Sequence, residues 1–94
     1  MENIQHSEQG NSGSFFMLEH GRKVAELNYR KSAKHEIIID HTHVSDHLKG
    51  KGAGKLLVKD MVTWARQNNI KVVAQCSFAK ATIDKDATLQ DVLY

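Results

Sequence analysis

The chain has 94 residues, 40% of them apolar, with 13 Lys and Arg against 11 Asp and Glu, a net charge of +2. That length suits one small domain, since about 100–150 residues is usual for a single core, and the balanced charge argues against a dedicated nucleic-acid binder. The longest apolar run is four residues, Phe15 to Leu18, where a membrane-spanning helix needs about 20.

One cysteine permits no internal disulfide, which fits a reducing compartment. The polar N-terminus has no apolar leader, so the chain is expected in the cytoplasm. Residues 1–13 are rich in Gln, Asn, Ser, Gly and Glu with Ile4 as their one aliphatic residue. Such a stretch buries too little to offset its ordering entropy and reads as a flexible tail. The folded domain is expected over 14–94.

Phe15 to His20 reads as a strand, Gly21-Arg22 as a turn, and Lys23 to Lys31 as a second strand with loose period-2 alternation. After a turn at Ser32 to Lys34, His35 to Val44 carries Ile37-Ile38-Ile39, a β-branched run typical of a strand covered on both faces. From Gly54 to Asn68 the period becomes helical, with Leu57, Met61, Trp64 and Ala65 on one face and Leu56, Val58 and Val62 widening it. Ile70 to Cys76 is a fourth strand, and Phe78 to Lys85 and Ala87 to Leu93 read as short closing helices. The order strand, helix, strand makes a βαβ unit whose strands are parallel. The expected fold is α/β (α+β): a mixed, mainly antiparallel four-stranded sheet with one parallel βαβ unit.

Lys49-Gly50-Lys51-Gly52-Ala53-Gly54-Lys55 joins the third strand to the long helix. Glycines at three of five positions allow a tight turn with uncovered amides, and the helix start adds free N–H groups and a partial positive charge. With three lysines, the segment suits a phosphate or pyrophosphate. It is not a Walker A loop: three residues, not four, separate Gly50 from Gly54, and Leu56 follows Lys55 where Ser or Thr would hold Mg²⁺. The dinucleotide pattern G-x-G-x-x-G is also absent. A plain helix-capping connection is the bland alternative.

The spacing Lys49-x-x-Gly52-x-Gly54 resembles the acyl-CoA pyrophosphate loop of the GNAT acetyltransferases, with Lys where Gln or Arg is usual. Around it stand His41-Thr42-x-Val44, Leu57-Val58, Ala65-Arg66, Lys71-Val72-Val73 and Cys76-Ser77-Phe78. In that order they resemble the minimal, single-domain GNAT-like proteins with a C-x-[Phe/Tyr] element. The resemblance runs from about Ser14 to the C-terminus. It implies acetyl-CoA bound between splayed parallel strands, its pantetheine along Thr42, His43 and Val44 and its pyrophosphate on the Lys49, Gly50, Lys51, Gly52, Ala53, Gly54 and Lys55 loop. It further implies catalytic roles for His41 and Cys76, with an amine as acceptor. The family often has prolines at the positions of Ala74 and Ser77, and larger members often a tyrosine general acid after this strand, where Phe78 has no hydroxyl.

Chemistry supports part of that assignment independently. Ligands of open α/β sheets bind beyond the carboxyl ends of the parallel strands, where the glycine loop, His41, His43 and Cys76 are expected to converge. Cys76 precedes a helix, whose N-terminus lowers a thiol pKa, and a thiolate can accept an acyl group. His41 could serve as base. Against these stand a buried structural cysteine and an ordinary strand histidine. Other readings are a CoA-binding or interaction domain without turnover, a two-histidine metal site at His41 and His43, and a nucleic-acid module, for which no aromatic platform is interleaved with the lysines.

Overall fold

The computed structural model describes residues 3–93. Five strands form one sheet in chain order: β1 (Ile4–Gln9), β2 (Ser12–Glu19), β3 (Arg22–Ala33), β4 (Glu36–Val44) and β5 (Lys71–Ala74). The first four pair antiparallel, and β5 lies parallel to β4 from Glu36↔Lys71 to Ile39↔Ala74. Helix α1 (Ala53–Gln67) makes the crossover, α2 (Ser77–Asp84) follows β5, and a 3-10 segment (Ala87–Val92) closes the chain. No helix among the described residues is long and apolar enough to cross a membrane.

The helices cover one sheet face. Leu57, Val58, Met61, Val62 and Ala65 of α1 pack with Phe15, Met17, Leu27, Tyr29, Ile37 and Ile39 in a single core, joined by Val72, Ala79, Ile83, Leu89 and Val92. Among the described residues nothing covers the opposite sheet face, so Ile38 is only half-buried between buried Ile37 and Ile39. The triple-isoleucine run therefore reflects β-branched propensity on a one-sided sheet rather than burial on both faces.

The stretch expected to be a tail is also strand. β1 pairs from Ile4↔Met17 to Gln9↔Ser12, so the sheet has five strands rather than four. Polar side chains hold it. The His6 ring stacks on Phe15 at 4.0 Å and meets Trp64 edge-on at 4.8 Å. The buried Tyr29 hydroxyl bonds His6 and donates to Glu8 Oε2 at 2.6 Å, and Lys31 reaches Glu8 Oε1 at 3.3 Å. Partial burial holds the His6 pKa below the usual histidine range, against the pull of Glu8.

The feature that positions the site is a bulge in β4. Tyr29 pairs with Ile39 but Asn28 with His41, leaving Asp40 as the extra residue. Before it, Ile37 and Ile39 face the helices. After it the parity changes, and Thr42 and Val44, opposite Leu27 and Ala25, take that face. β5 pairing ends at Ile39, so among the described residues the β5-side edge of β4 beyond the bulge has no partner strand.

Candidate functional site

A cleft of about 660 Å³ opens where β4 and β5 diverge. Thr42 and Val44 form its floor, Leu48, Lys49, Gly50 and Gly52 to Lys55 one side, and Phe78, Thr82, Lys85 and Asp86 the other. The glycine loop is placed by the 3-10 turn Asp46–Leu48, whose Leu48 is buried, and by Lys51 N–H donating to Leu48 O at 3.1 Å.

Gly50 and Gly52 sit at φ +80° and +82°, conformations that L side chains adopt only with strain. Gly52 is the N-cap of α1. Leu56 N–H donates back to Gly52 O at 3.0 Å, while the earlier amides of Ala53, Gly54 and Lys55 belong to the first turn, where a helix has no internal acceptors. No side chain caps this end and no acidic residue lies in its first turn. Lys49 is tied to Asp46 at 3.0 Å. The start of α1 thus presents uncapped backbone amides beside lysines, a setting whose partial positive charge favours anions.

Gly54 has a different reason to be glycine. A Cβ there would stand 2.5 Å from Phe78 Cζ, 2.7 Å from Cε2 and 3.4 Å from Val44 Cγ2. The Phe78 ring, 42% exposed, lies directly over that bare Cα. Phe78, Thr82 and Lys85 follow at helical spacing and present one face of α2 to the cleft.

Cys76 is the N-cap of α2 and half-buried. Its amide donates to Ile39 O at 3.1 Å, anchoring the end of β5 to the last residue before the bulge. Its Sγ lies 3.3 Å from Thr42 Oγ1. Burial pushes the thiol pKa up, but the Thr42 hydroxyl and the backbone amides of Ala79, Phe78 and Thr42 outweigh it, and the net shift is downward. Cys76 is therefore more acidic than a free thiol, and it stands behind the cleft lining, meeting it through Thr42.

The loop residues Lys49, Gly50, Gly52, Ala53, Gly54 and Lys55 converge with Thr42 and Val44 on this cleft; Lys51 is exposed within the same turn. His41 and His43 do not join them. The bulge turns both to the uncovered sheet face, opposite Asn28 and Glu26, with rings 6.5 Å apart and near-parallel. The convergence expected of His41 with Cys76 is thereby corrected: the inserted Asp40, invisible to period-2 reading, reverses the side His41 faces. The His pair gains no further ligand, and among the described residues no group of three or more His, Cys, Asp or Glu could hold a metal ion. The α2 side of the cleft was missed in sequence, although the spacing of Phe78, Thr82 and Lys85 carries it.

Comparison with known proteins adds a second line of observation. The family described as GCN5-related N-acetyl-transferase matches residues 14–92. No curated protein matches the chain. Among solved structures, the solution structure of a Staphylococcus aureus protein assigned as a GCN5-like N-acetyltransferase is 42% identical, with a TM-score of 0.73 over 100% of this chain and 91% of that one. Tetrahymena GCN5 shares the fold at 15% identity and TM-score 0.67, over 82% of this chain and 51% of its own. A Bacillus anthracis protein assigned as a streptothricin acetyltransferase, solved with acetyl coenzyme A, shares it at 17% identity and TM-score 0.60, over 82% and 46%. The chain spans about half the length of these last two.

Proposed function

Because the chain belongs to the GCN5-related N-acetyltransferase family, we propose that it transfers an acetyl group from acetyl-CoA to an amine, using the cleft between β4, the glycine loop and α2. The observation that carries this is the glycine-framed start of α1, uncapped and free of acidic residues, opening onto the unpaired edge of β4. That combination offers what an acyl-CoA needs: amides for a pyrophosphate, a bare strand edge for the amide-bearing pantetheine arm, and apolar contact from Val44, Leu48 and Phe78.

In this reading Ala53, Gly54 and Lys55 amides, with Lys49 and Lys55, hold the pyrophosphate, and Thr42 to Val44 align the arm. The bound thioester supplies an activated acetyl carbonyl. The Cys76 thiolate adds to that carbonyl, the bond to the CoA sulfur breaks, and CoA leaves as a thiolate that takes a proton from water. The acceptor amine then attacks the acetyl-Cys76 carbonyl, a C–N bond forms, the bond to Cys76 Sγ breaks, and the amine's proton is released to solvent. Thr42 Oγ1, 3.3 Å from Sγ, stabilises the thiolate at both ends of the cycle. His41 receives no role at the acetyl group, because it faces away from Thr42 across the strand.

The experiment is intact-mass analysis after incubation with acetyl-CoA alone. A gain of one acetyl mass, lost on adding an amine and absent from Cys76→Ser, supports the relay. Full amine acetylation by Cys76→Ala would replace the relay by direct attack of the amine. Tight CoA binding with no acetyl transfer to Cys76 or to any amine would make the domain a CoA-binding module.

A further inference from the structure

Sequence motifs assign the cleft's loop side; its α2 side also carries charge. Lys85, the C-cap of α2, lines the cleft beside Thr82 and Asp86. It lies seven residues, about 10 Å of helix, beyond Phe78, which contacts Gly54 at the loop. The cleft therefore has cationic character at two separated places, the start of α1 and the end of α2.

The ion pairing around Lys85 is selective. Lys80, on the same helix, pairs with Asp84 at 3.0 Å, but among the described residues neither Lys85 nor Lys55 forms an ion pair. Both acids that flank Lys85 in sequence are engaged elsewhere: Asp84 holds Lys80, and Asp86 Oδ1 accepts from Thr88 N–H at 3.0 Å and from Thr88 Oγ1 at 2.5 Å, capping the closing 3-10 segment. Lys55 and Lys85 thus leave a positive balance over Asp86 on this part of the cleft. A ligand bearing only a diphosphate would satisfy the loop and leave Lys85 unused. CoA carries one further anion, the phosphate on the ribose 3′ oxygen, set apart from the pyrophosphate by the sugar.

We infer that Lys85 is a specificity-determining residue that pairs with the 3′-phosphate of CoA and so distinguishes acyl-CoA from its 3′-dephospho form. The inference rests on the CoA reading given above. A surface ammonium meeting a phosphate dianion in a shallow, hydrated site is a modest interaction, worth about five- to tenfold in affinity at low salt.

The test is a calorimetric titration of the full chain and of Lys85→Gln with CoA and with 3′-dephospho-CoA at low and moderate salt. The expected result is that the parent prefers CoA by about five- to tenfold, that the preference shrinks as salt rises, and that Lys85→Gln loses it while binding 3′-dephospho-CoA as the parent does. A cation that only complements the α2 dipole would change melting temperature and leave the ratio of the two ligands intact. Equal binding of the two ligands by the parent, or equal loss of both in the variant, overturns the inference while leaving the CoA reading standing. Failure of the parent to bind either ligand overturns both.

Discussion

The contact between Gly54 and Phe78 makes a quantitative prediction. Gly54→Ala places a methyl carbon 2.5–2.7 Å from the edge of the Phe78 ring, well inside ordinary contact, so the ring must move. Overpacking of this kind costs about 1–3 kcal/mol, and replacing glycine by alanine in a helix returns up to about 1 kcal/mol. Because Phe78 is 42% exposed and can swing outward, the net loss falls near the low end, about 1 kcal/mol. For a domain of this size that lowers the melting temperature by about 4–8 °C. In Phe78→Ala the obstacle is gone, and Gly54→Ala becomes neutral or stabilising. A double-mutant cycle by chemical denaturation should therefore show a coupling of about 1–3 kcal/mol. CoA affinity should fall in Gly54→Ala, since the displaced ring enlarges the cleft mouth. A Gly54→Ala protein as stable as the parent, with no coupling to position 78 and unchanged CoA binding, would refute the packing argument.

Gly52→Val should leave the fold largely intact but weaken CoA binding severely, because a β-branched residue resists the φ of +82° that aims the first-turn amides; calorimetry showing parental affinity would remove the loop from the site. Cys76 should be alkylated by iodoacetamide at lower pH than the same thiol in the unfolded chain, and CoA should slow the reaction; labelling only after denaturation would return it to the core. His6 has a folded pKa below its unfolded value, so the unfolded chain binds more protons as pH falls below about 6.5. Melting temperature should accordingly drop as pH is lowered from about 7 toward 5, and His6→Gln should flatten that slope. A slope that survives the substitution would assign it to other groups.

Much of this architecture is legible in sequence because single-residue periodicity carries it. The strands β2 to β5 follow from alternation and β-branching, α1 from its 3.6 period, and the parallel β4–β5 pair from the order of elements. The glycine loop is legible because a tight, amide-exposing turn restricts residue type. β1 is not, since its stability comes from His6 on Phe15 and Glu8 on Tyr29, partners 9 and 21 residues away, and local composition does not encode such contacts. The Asp40 bulge is likewise hidden. Nothing in Ile39-Asp40-His41 signals an extra residue, yet it determines that Thr42, not His41, faces Cys76.

The most direct test of the central claim is a titration of the isotopically labelled protein with acetyl-CoA, followed by amide chemical shifts. The cleft reading predicts shifts concentrated at Thr42 to Lys55 and along Cys76 to Lys85, with His6 and the rest of β1 unmoved. No shifts at millimolar acetyl-CoA, or shifts centred on the uncovered sheet face at Glu26, Asn28 and Arg30, would contradict it.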